Sequence, residues 1–308
     1  MKIFLAGHKG LVGSAILRKL KKKKLNKVIT IDKKKLNLLK QQSVFNFIKK
    51  KKPDIVIIAA AKVGGIFHNN IHGADFIYEN LQIQNNLIHG SFKNNVKKII
   101  FLGSSCIYPK NSKQPISEKS LLTGKLEETN EPYALAKIAG VKMCEAYNKQ
   151  YKTNYLCLMP TNTYGPNDNY HHLNSHFFPA LIKKAHICKI KNKKIFTVWG
   201  SGKPLRELIF VDDVADACIF FMNKKTKKSL INIGTGKDMR IKDYVNFIIK
   251  KLNLKVIIKY DKKKPDGVYR KVLDVRLAKK YGWKAKTTLD KGFDLTYKDF
   301  KINYKRYK

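Results

Sequence analysis

The first half of the chain alternates short apolar runs with longer segments in which apolar residues recur every three or four positions. The short runs predict strands and the periodic segments predict amphipathic helices. The predicted strands are Lys2–Ala6, Val28–Ile31, Ile55–Ala59, Lys98–Leu102 and Tyr155–Met159, and the predicted helices are Ser14–Lys24, Ser43–Lys50, Phe76–Asn94 and Pro132–Gln150. Buried strands that alternate with such helices predict an α/β fold with a doubly wound parallel sheet covered on both faces.

The pattern loosens after Met159, where prolines and glycines separate shorter elements. Phe210–Met222 predicts a return to the sheet with a helix that Asp212 or Asp213 caps. We therefore expect two domains. Residues 1–160, with a return segment near 208–223, form the sheet, and residues 161–308 form a smaller α/β domain.

A glycine-rich loop follows the first strand and opens the first helix. Its glycines let the turn tighten and let the backbone approach a pyrophosphate, while the helix N-terminus offers free N–H groups. The pattern G-x-x-G-x-x-G in this context predicts a dinucleotide site on a Rossmann-like sheet. The loop reads Gly7-His8-Lys9-Gly10-Leu11-Val12-Gly13.

The end of the second strand gives two conflicting signals about the dinucleotide. Asp32 stands where an acid usually binds the ribose 2′-hydroxyl of NAD, but Lys33-Lys34-Lys35 follows, and cations here suit the 2′-phosphate of NADP. If Asp32 points away, Lys9 and Lys33 can clamp that phosphate. We expect NADP, partly from the family resemblance given below.

The chain of 308 residues carries 64 Lys+Arg against 22 Asp+Glu, a net charge of +42. Such a charge raises the alternative of a basic nucleic-acid-binding protein. The excess is nearly all Lys, however, with 58 Lys against six Arg. Arg is the usual residue for reading phosphate and guanine, so we interpret most of the charge as solvated surface. A nucleic-acid partner is therefore not expected. A membrane partner is not expected either, because the longest apolar run, Ile55 to Ala61, is too short to cross a bilayer.

Cysteine usage and the N-terminus bear on location. The five cysteines have no paired spacing, and a strand that begins at Lys2 leaves no room for a signal peptide. Both features predict a cytoplasmic protein. No spacing among the histidines predicts a metal site.

The pattern Y-x-x-x-K occurs four times, so position must separate a functional pair from chance. Only Tyr133 and Lys137 lie early in a long helix after the fourth strand, where residues i and i+4 share a face. A neighbouring ammonium favours the phenolate and makes Tyr a better proton donor. Ser104 follows the fourth strand at the edge where open α/β sheets bind ligands, so its hydroxyl can hold a carbonyl beside Tyr133.

This Ser, Tyr and Lys set on a Rossmann-like half resembles the extended short-chain dehydrogenase/reductase superfamily. Within it, a series of longer segments resembles the GDP-L-fucose synthase family, in order along almost the whole chain. The segments are Gly7–Ala15, Ala59–Gly65, Gly103–Lys110, Thr129–Ala134, Met159–Asn162, Asn174–His176, Val198–Gly202, Arg206-Glu207 and Lys264–Gly267.

The resemblance implies an enzyme that takes GDP-4-dehydro-6-deoxy-D-mannose, epimerises C3 and C5, and reduces C4 with NADPH. The catalytic residues it implies are Ser104, Cys106, Tyr133, Lys137 and His176. The cofactor-binding residues it implies are the loop Gly7–Gly13 with Lys33, Leu102, Gly103, Ser104, Ser105, Lys137, Pro160, Thr161, Asn162, Thr163 and His176. The residues it implies for the GDP-sugar are Asn162, Lys184, Trp199, Arg206, Asp266 and Lys271. Lys184 is a departure, because the family commonly has Arg there, and Lys keeps the charge but loses the fork.

Epimerisation beside a ketone needs a base that removes an α-proton and an acid that returns one on the opposite face. The resemblance implies Cys106 and His176 for these roles. A thiol has a pKa of about 8.5, so a nearby cation or helix N-terminus is expected to raise the thiolate fraction of Cys106. His176 can act as the acid, and Tyr133 with Ser104 can hold the enediolate oxygen.

Another nucleotide-sugar enzyme of the same superfamily remains an alternative, either a 4-epimerase or a 4,6-dehydratase. A dehydratase is expected to carry an acidic pair where this chain has Ser105-Cys106. A 4-epimerase has no need of a second acid–base pair. The resemblance also implies a homodimer formed through helices on one face, for which Pro132–Gln150 is a candidate.

Overall fold

The computed structural model describes residues 1–23, 27–171, 174–264 and 266–304. Its larger body is a six-stranded sheet in the order β2-β1-β3-β4-β5-β9, and every neighbouring pair is parallel. The order reverses between β1 and β3, as in a doubly wound fold. The strands are β1 Lys2–Ala6, β2 Lys27–Ile29, β3 Ile55–Ile58, β4 Lys98–Leu102, β5 Tyr155–Pro160 and β9 Leu230–Ile233. The predicted α/β class is confirmed.

Helices cover both faces of this sheet. Because successive strand side chains point to opposite faces, Ile3 and Leu5 pack into one core while Phe4 and Ala6 pack into the other. The first core lies under α1 Leu11–Lys23, α7 Val211–Met222 and α9 Arg276–Lys280. The second lies under α2 Gln41–Lys51, α4 Gly73–Lys93 and α5 Glu131–Tyr151.

A smaller body carries the remaining strands and helices. The first half of the strand β8 lies between β10 and β12, and its second half pairs with β6, while β7 and β11 form a separate parallel pair. The elements are β6 Asn162–Tyr164, α6 Phe177–Ile190, β7 Ile195–Trp199, β8 Leu205–Phe210, β10 Asp238–Arg240, α8 Ile241–Leu252, β11 Ile257–Asp261, β12 Arg270–Lys271 and α10 Leu289–Asn303. A third apolar core joins them.

Strands β1 and β4 have the predicted bounds, and the ends of the other predicted elements differ by at most three residues. Helix α1 begins at Leu11 rather than Ser14, so Gly13 lies inside it, and the predicted last residue, Lys24, lies outside the described residues. Helix α3, Ile66–Ile71, and strand β9 were not predicted. Across the described ranges, no helix is long and apolar enough to span a bilayer.

The predicted cap of the Phe210–Met222 helix is wrong. Helix α7 begins at Val211, its N-cap is Phe210, and no side chain caps it. The Asp212 carboxylate instead accepts a bond from Arg18 at 2.8 Å, and Asp213 accepts the Thr287 N–H at 2.9 Å. Both acids lie in the first turn, where the helix dipole favours negative charge.

Candidate active site

Because the six strands are parallel, the residues that follow them meet at one edge of the sheet. Gly7 follows β1 with a φ of +88°. A Cβ at Gly7 would collide with the Ala60 backbone, and one at Gly13 would collide with the Gly7 carbonyl. A Cβ at Gly10 would meet only the Gly7 carbonyl oxygen, at 3.6 Å. The fold therefore requires Gly7 and Gly13, whereas Gly10 leaves open surface beside the first N–H groups of α1, where a phosphate can approach.

Asp32 points toward this loop, so the alternative in which it points away does not hold. Its Oδ1 lies 2.8 Å from Lys9 Nζ and 3.3 Å from His8 Nε2. The hydrogen bond from Lys9 lowers the pKa of Asp32, and the carboxyl is ionised. Lys33 is exposed on the turn that follows.

Ser104, Tyr133 and Lys137 come together where β4 ends against α5. Lys137 is 3% exposed, donates to the Leu102 carbonyl at 2.9 Å, and places Nζ 4.8 Å from the centre of the Phe101 ring. Nζ also lies 5.8 Å from the centre of the Tyr133 ring. Burial lowers the pKa of Lys137 to about 8.

The net shift in the pKa of Tyr133 is opposite to the one expected from a neighbouring ammonium alone. Burial raises the pKa of the Tyr133 phenol above its ordinary value, and a hydrogen bond with Ser104 opposes this rise. Tyr133 therefore keeps its proton at neutral pH. That is the state required of a proton donor.

Cys106 and His176 come from distant parts of the chain. Cys106 lies in a short 3-10 turn, Ser105–Ile107, and its own N–H donates to Ser104 Oγ at 3.4 Å. Burial raises the pKa of the Cys106 thiol, while Lys271, Ser104 and Lys137 oppose the rise. The expected net increase in thiolate is therefore wrong, because loss of solvation outweighs the neighbouring cations.

His176 is the residue before α6 and is exposed on one side. The protein packed around its ring lowers the pKa of His176, and the Lys271 ammonium lowers that pKa further. One cation therefore acts on both Cys106 and His176. Both groups are neutral at neutral pH.

The segment that leads to His176 is attached to the glycine-rich loop through Asn167. The Asn167 side chain donates to the Lys9 carbonyl at 2.8 Å and to Ser14 Oγ at 3.3 Å. The Asn167 N–H donates to Asp299 of α10 at 2.9 Å. Asn167 thus ties three parts of the molecule together, a role that no local sequence pattern indicates.

The smaller body brings a half-exposed indole and several cations together. Trp199 is 50% exposed, and the Nζ atoms of Lys184 and Lys264 lie 4.7 and 5.5 Å from the centre of its ring. Arg206 donates to the Asp266 main-chain carbonyl at 3.3 Å. Lys271 lies opposite Arg206 in the register of the neighbouring strands β12 and β8. An indole beside two lysines, with Arg206 and Lys271 on the neighbouring strands, suits a nucleoside diphosphate.

The Asp266 carboxylate is engaged within the protein. It accepts the Ser201 N–H at 2.7 Å and the Ser201 hydroxyl at 2.6 Å. Asp266 therefore holds the loop after Trp199. Its neighbour Pro265, part of the matching segment, lies outside the described residues.

Several residues predicted to bind the cofactor lie at the sheet edge with buried or internally bonded side chains. Leu102, Ser105 and Thr161 are at most 6% exposed. The Asn162 amide donates to the Glu207 carbonyl at 3.0 Å. At Gly103, a Cβ would collide with the Met159 side chain. Pro160 is the last residue of β5, and the Thr163 hydroxyl donates to the Thr161 carbonyl at 3.0 Å.

Glu207 is a buried acid whose role the sequence analysis missed. It is 0% exposed, and its Oε1 accepts the N–H groups of Thr235 at 2.6 Å and Gly236 at 2.7 Å. Its Oε2 accepts the Leu273 N–H at 2.8 Å. The carboxylate therefore fixes the backbone two residues after Lys271. Glu207 belongs to a matching segment, but local sequence does not separate a buried acid from a surface charge.

The described residues include no group of three or more His, Cys, Asp or Glu side chains that could hold a metal ion.

The sequence profile described as the NAD dependent epimerase/dehydratase family matches residues 3–234. The chain is 46% identical over 316 residues to the GDP-L-fucose synthase of Escherichia coli (strain K12), covering 100% of this chain and 98% of that protein.

Two solved structures are similar over nearly the whole chain. A GDP-mannoheptose C4 reductase from Campylobacter jejuni with NADP bound has a TM-score of 0.90 and 38% identity, covering 97% of this chain and 98% of that one. A GDP-L-fucose synthetase from Naegleria fowleri bound to NADP has a TM-score of 0.90 and 27% identity, covering 100% of this chain and 95% of that one.

Proposed function

The chain belongs to the NAD dependent epimerase/dehydratase family, and we propose that it converts GDP-4-dehydro-6-deoxy-D-mannose to GDP-L-fucose. The reaction comprises epimerisation at C3 and C5 and NADPH-dependent reduction at C4. One observation carries the proposal. The reductase set of Ser104, Tyr133 and Lys137 adjoins a second acid–base pair, Cys106 and His176, whose electrostatics are linked through one lysine. Full-length similarity to a GDP-L-fucose synthase supports it.

The cofactor site has a shape and a set of cations that suit NADP. The open surface at Gly10 and the N-terminus of α1 suit the pyrophosphate, and Lys9 with the exposed Lys33 suits a 2′-phosphate. We assign the nicotinamide ribose to Lys137, whose ammonium donates to the Leu102 carbonyl. NADPH supplies the hydride for C4 when it is bound there.

Reduction at C4 needs a proton for the carbonyl oxygen. Tyr133 keeps its phenolic proton, because burial raises its pKa, and Ser104 shares a hydrogen bond with it. Both O–H groups can therefore meet one substrate oxygen, with Tyr133 as the donor. The Lys137 ammonium, 5.8 Å from the centre of the tyrosine ring, stabilises the phenolate that remains.

Epimerisation uses Cys106 as the base and His176 as the acid, while Tyr133 and Ser104 hold the enediolate oxygen. A raised pKa makes the Cys106 thiolate a stronger base, and a lowered pKa makes protonated His176 a stronger acid. The cost is that few molecules carry both charged forms at once. Lys271 moderates this cost at Cys106 by favouring the thiolate.

The GDP-sugar is held by the smaller body. Trp199 offers an indole for stacking, and Lys184, Arg206 and Lys271 offer positive charge to the diphosphate. Asn162 and Asp266 act mainly through the backbone that they hold in place. Lys184 already donates to the Thr197 carbonyl at 3.3 Å, which fixes its ammonium near the indole.

We also propose a homodimer in the cytoplasm. Tyr78 of α4 and Leu135 and Tyr151 of α5 are between 42% and 59% exposed, so this helix pair presents large apolar side chains to solvent. All five cysteines are free, which supports a reducing compartment. Light scattering should give twice the chain mass for the native protein and the chain mass for Leu135→Glu. A native monomer would refute the dimer.

The decisive experiment is NADPH oxidation with GDP-4-dehydro-6-deoxy-D-mannose, with product stereochemistry read by NMR. We expect a product inverted at C3 and C5. Cys106→Ser should lose epimerisation more than reduction. The similarity to a GDP-mannoheptose C4 reductase favours one second candidate, a GDP-sugar reductase that does not epimerise. A D-manno product would support that candidate and refute the epimerase half, whereas no oxidation of NADPH would return the superfamily 4-epimerase and 4,6-dehydratase to consideration.

A further inference from the structure

The adenosine end of the cofactor site carries an acid and cations in direct contact. Asp32 Oδ1 lies 2.8 Å from Lys9 Nζ and 3.3 Å from His8 Nε2, and Lys35 adds positive charge nearby. The side chains of Lys9 and Asp32 are 72% and 43% exposed. The Lys9–Asp32 pair is therefore at the surface, where an ion pair is weak and can exchange partners.

An ionised acid at this point affects the two dinucleotides differently. A ribose 2′-hydroxyl can donate to a carboxylate, so Asp32 is compatible with NAD. A 2′-phosphate carries up to two negative charges and would repel Asp32 while needing the same Lys9 ammonium. The lowered pKa of Asp32 keeps this repulsion present at neutral pH.

We propose that Asp32 is a specificity-determining residue, which competes with the 2′-phosphate of NADP for Lys9 and so narrows the preference for NADP over NAD. The inference rests on the NADP dependence proposed above. A purely structural role predicts something else: if Asp32 only clamps Lys9 and His8, its loss loosens the loop and weakens both dinucleotides alike.

Equilibrium binding to the full-length protein separates these two roles. Calorimetric titrations with NADP⁺, NAD⁺, 2′,5′-ADP and 5′-AMP would be compared for the native chain, Asp32→Asn, Lys9→Met and Asp54→Asn. Asp54 is a matched control, because it also pairs with a lysine, Lys97 at 3.4 Å, but it precedes β3 at the opposite edge of the sheet.

Asp32→Asn should tighten the binding of NADP⁺ and 2′,5′-ADP about five- to tenfold at low salt, without tightening NAD⁺ or 5′-AMP. Added salt should shrink the gain because it screens exposed charges. Lys9→Met should weaken only the two ligands with a 2′-phosphate, and Asp54→Asn should change nothing.

Given that 2′,5′-ADP binds the native protein, a ratio of NADP⁺ to NAD⁺ affinity that is unchanged or lowered in Asp32→Asn would overturn the inference alone. An equal weakening of both dinucleotides leaves that ratio unchanged and would assign Asp32 the purely structural role. If none of the four ligands binds the native protein, the inference fails together with the cofactor assignment. The sugar-nucleotide assay above tests the reaction separately.

Discussion

Replacing Glu207 by Gln tests whether a buried carboxylate holds the substrate side of the site in place. Three backbone N–H groups depend on its two oxygens: Thr235 and Gly236 on Oε1, and Leu273 on Oε2, at 2.6 to 2.8 Å. Gln has nearly the same shape but only one oxygen. Its NH₂ group must therefore face at least one N–H donor.

The least damaging orientation keeps the oxygen on Thr235 and Gly236 and turns the NH₂ group toward Leu273. It leaves the Leu273 N–H buried without an acceptor, which costs about 1–3 kcal/mol. The two remaining bonds lose their charged acceptor, which costs about 0.5–1 kcal/mol each. Relief from burying a charge offsets part of this, so we expect a loss of about 2–4 kcal/mol in the free energy of unfolding.

Urea unfolding at pH 7 measures that loss, with the exposed Glu128→Gln as control. The control should stay within about 0.5 kcal/mol of the native chain. Because Leu273 follows Lys271 by two residues, Glu207→Gln should also raise the KM for the GDP-sugar more than it lowers kcat. An unfolding midpoint equal to that of the native protein would refute the reasoning that the carboxylate fixes this backbone.

Three further outcomes follow from other parts of the structure. Burial raises the pKa of Asp168 to about 7, above 3.8 for the unfolded chain. The folded protein therefore favours the protonated carboxyl, and the stability that this contributes is lost as the pH rises from about 4 to 7. Asp168→Asn should therefore remove about 4 kcal/mol of pH dependence in urea unfolding between pH 4 and 8, and an unchanged slope would contradict this. Lys137 has a pKa of about 8, so NADPH oxidation should fall above pH 8 as the ammonium that supports Tyr133 is lost; a flat profile to pH 9.5 would count against that role. Trp199→Ala should raise the substrate KM about tenfold while NADPH affinity is unchanged, and an unchanged KM would remove Trp199 from the site.

Local pattern was sufficient for most of the sheet body. The periods of apolar residues depend on neighbours along the chain, so they predicted the order of strands and helices through β5, apart from the short helix α3. Once strands β1, β4 and β5 are parallel, the loops after them must share one edge, which is where Gly7, Ser104 and Thr161 lie. Strand β9 was missed because it joins the sheet only through contact with β5, far away in sequence.

The four Y-x-x-x-K pairs illustrate what position adds. Lys137 is buried against Leu102 and Phe101, whereas Lys264 of the pair Tyr260/Lys264 is exposed. The spacing is identical in both pairs, so spacing alone could not separate them. The predicted position of Tyr133, early in the helix after the fourth strand, separated this pair from the others.

The sequence by itself determined the fold class, the glycine-rich loop and the residue types of the site, because those depend on local periodicity and on recognisable segments. The tertiary structure decided the charge state and the partner of each group. Burial outweighed the cations beside Cys106, Asp32 turned toward Lys9, and Glu207 became an internal acceptor. A pKa reflects the solvation and charges around a group in three dimensions, and those surroundings come from residues that are distant along the chain.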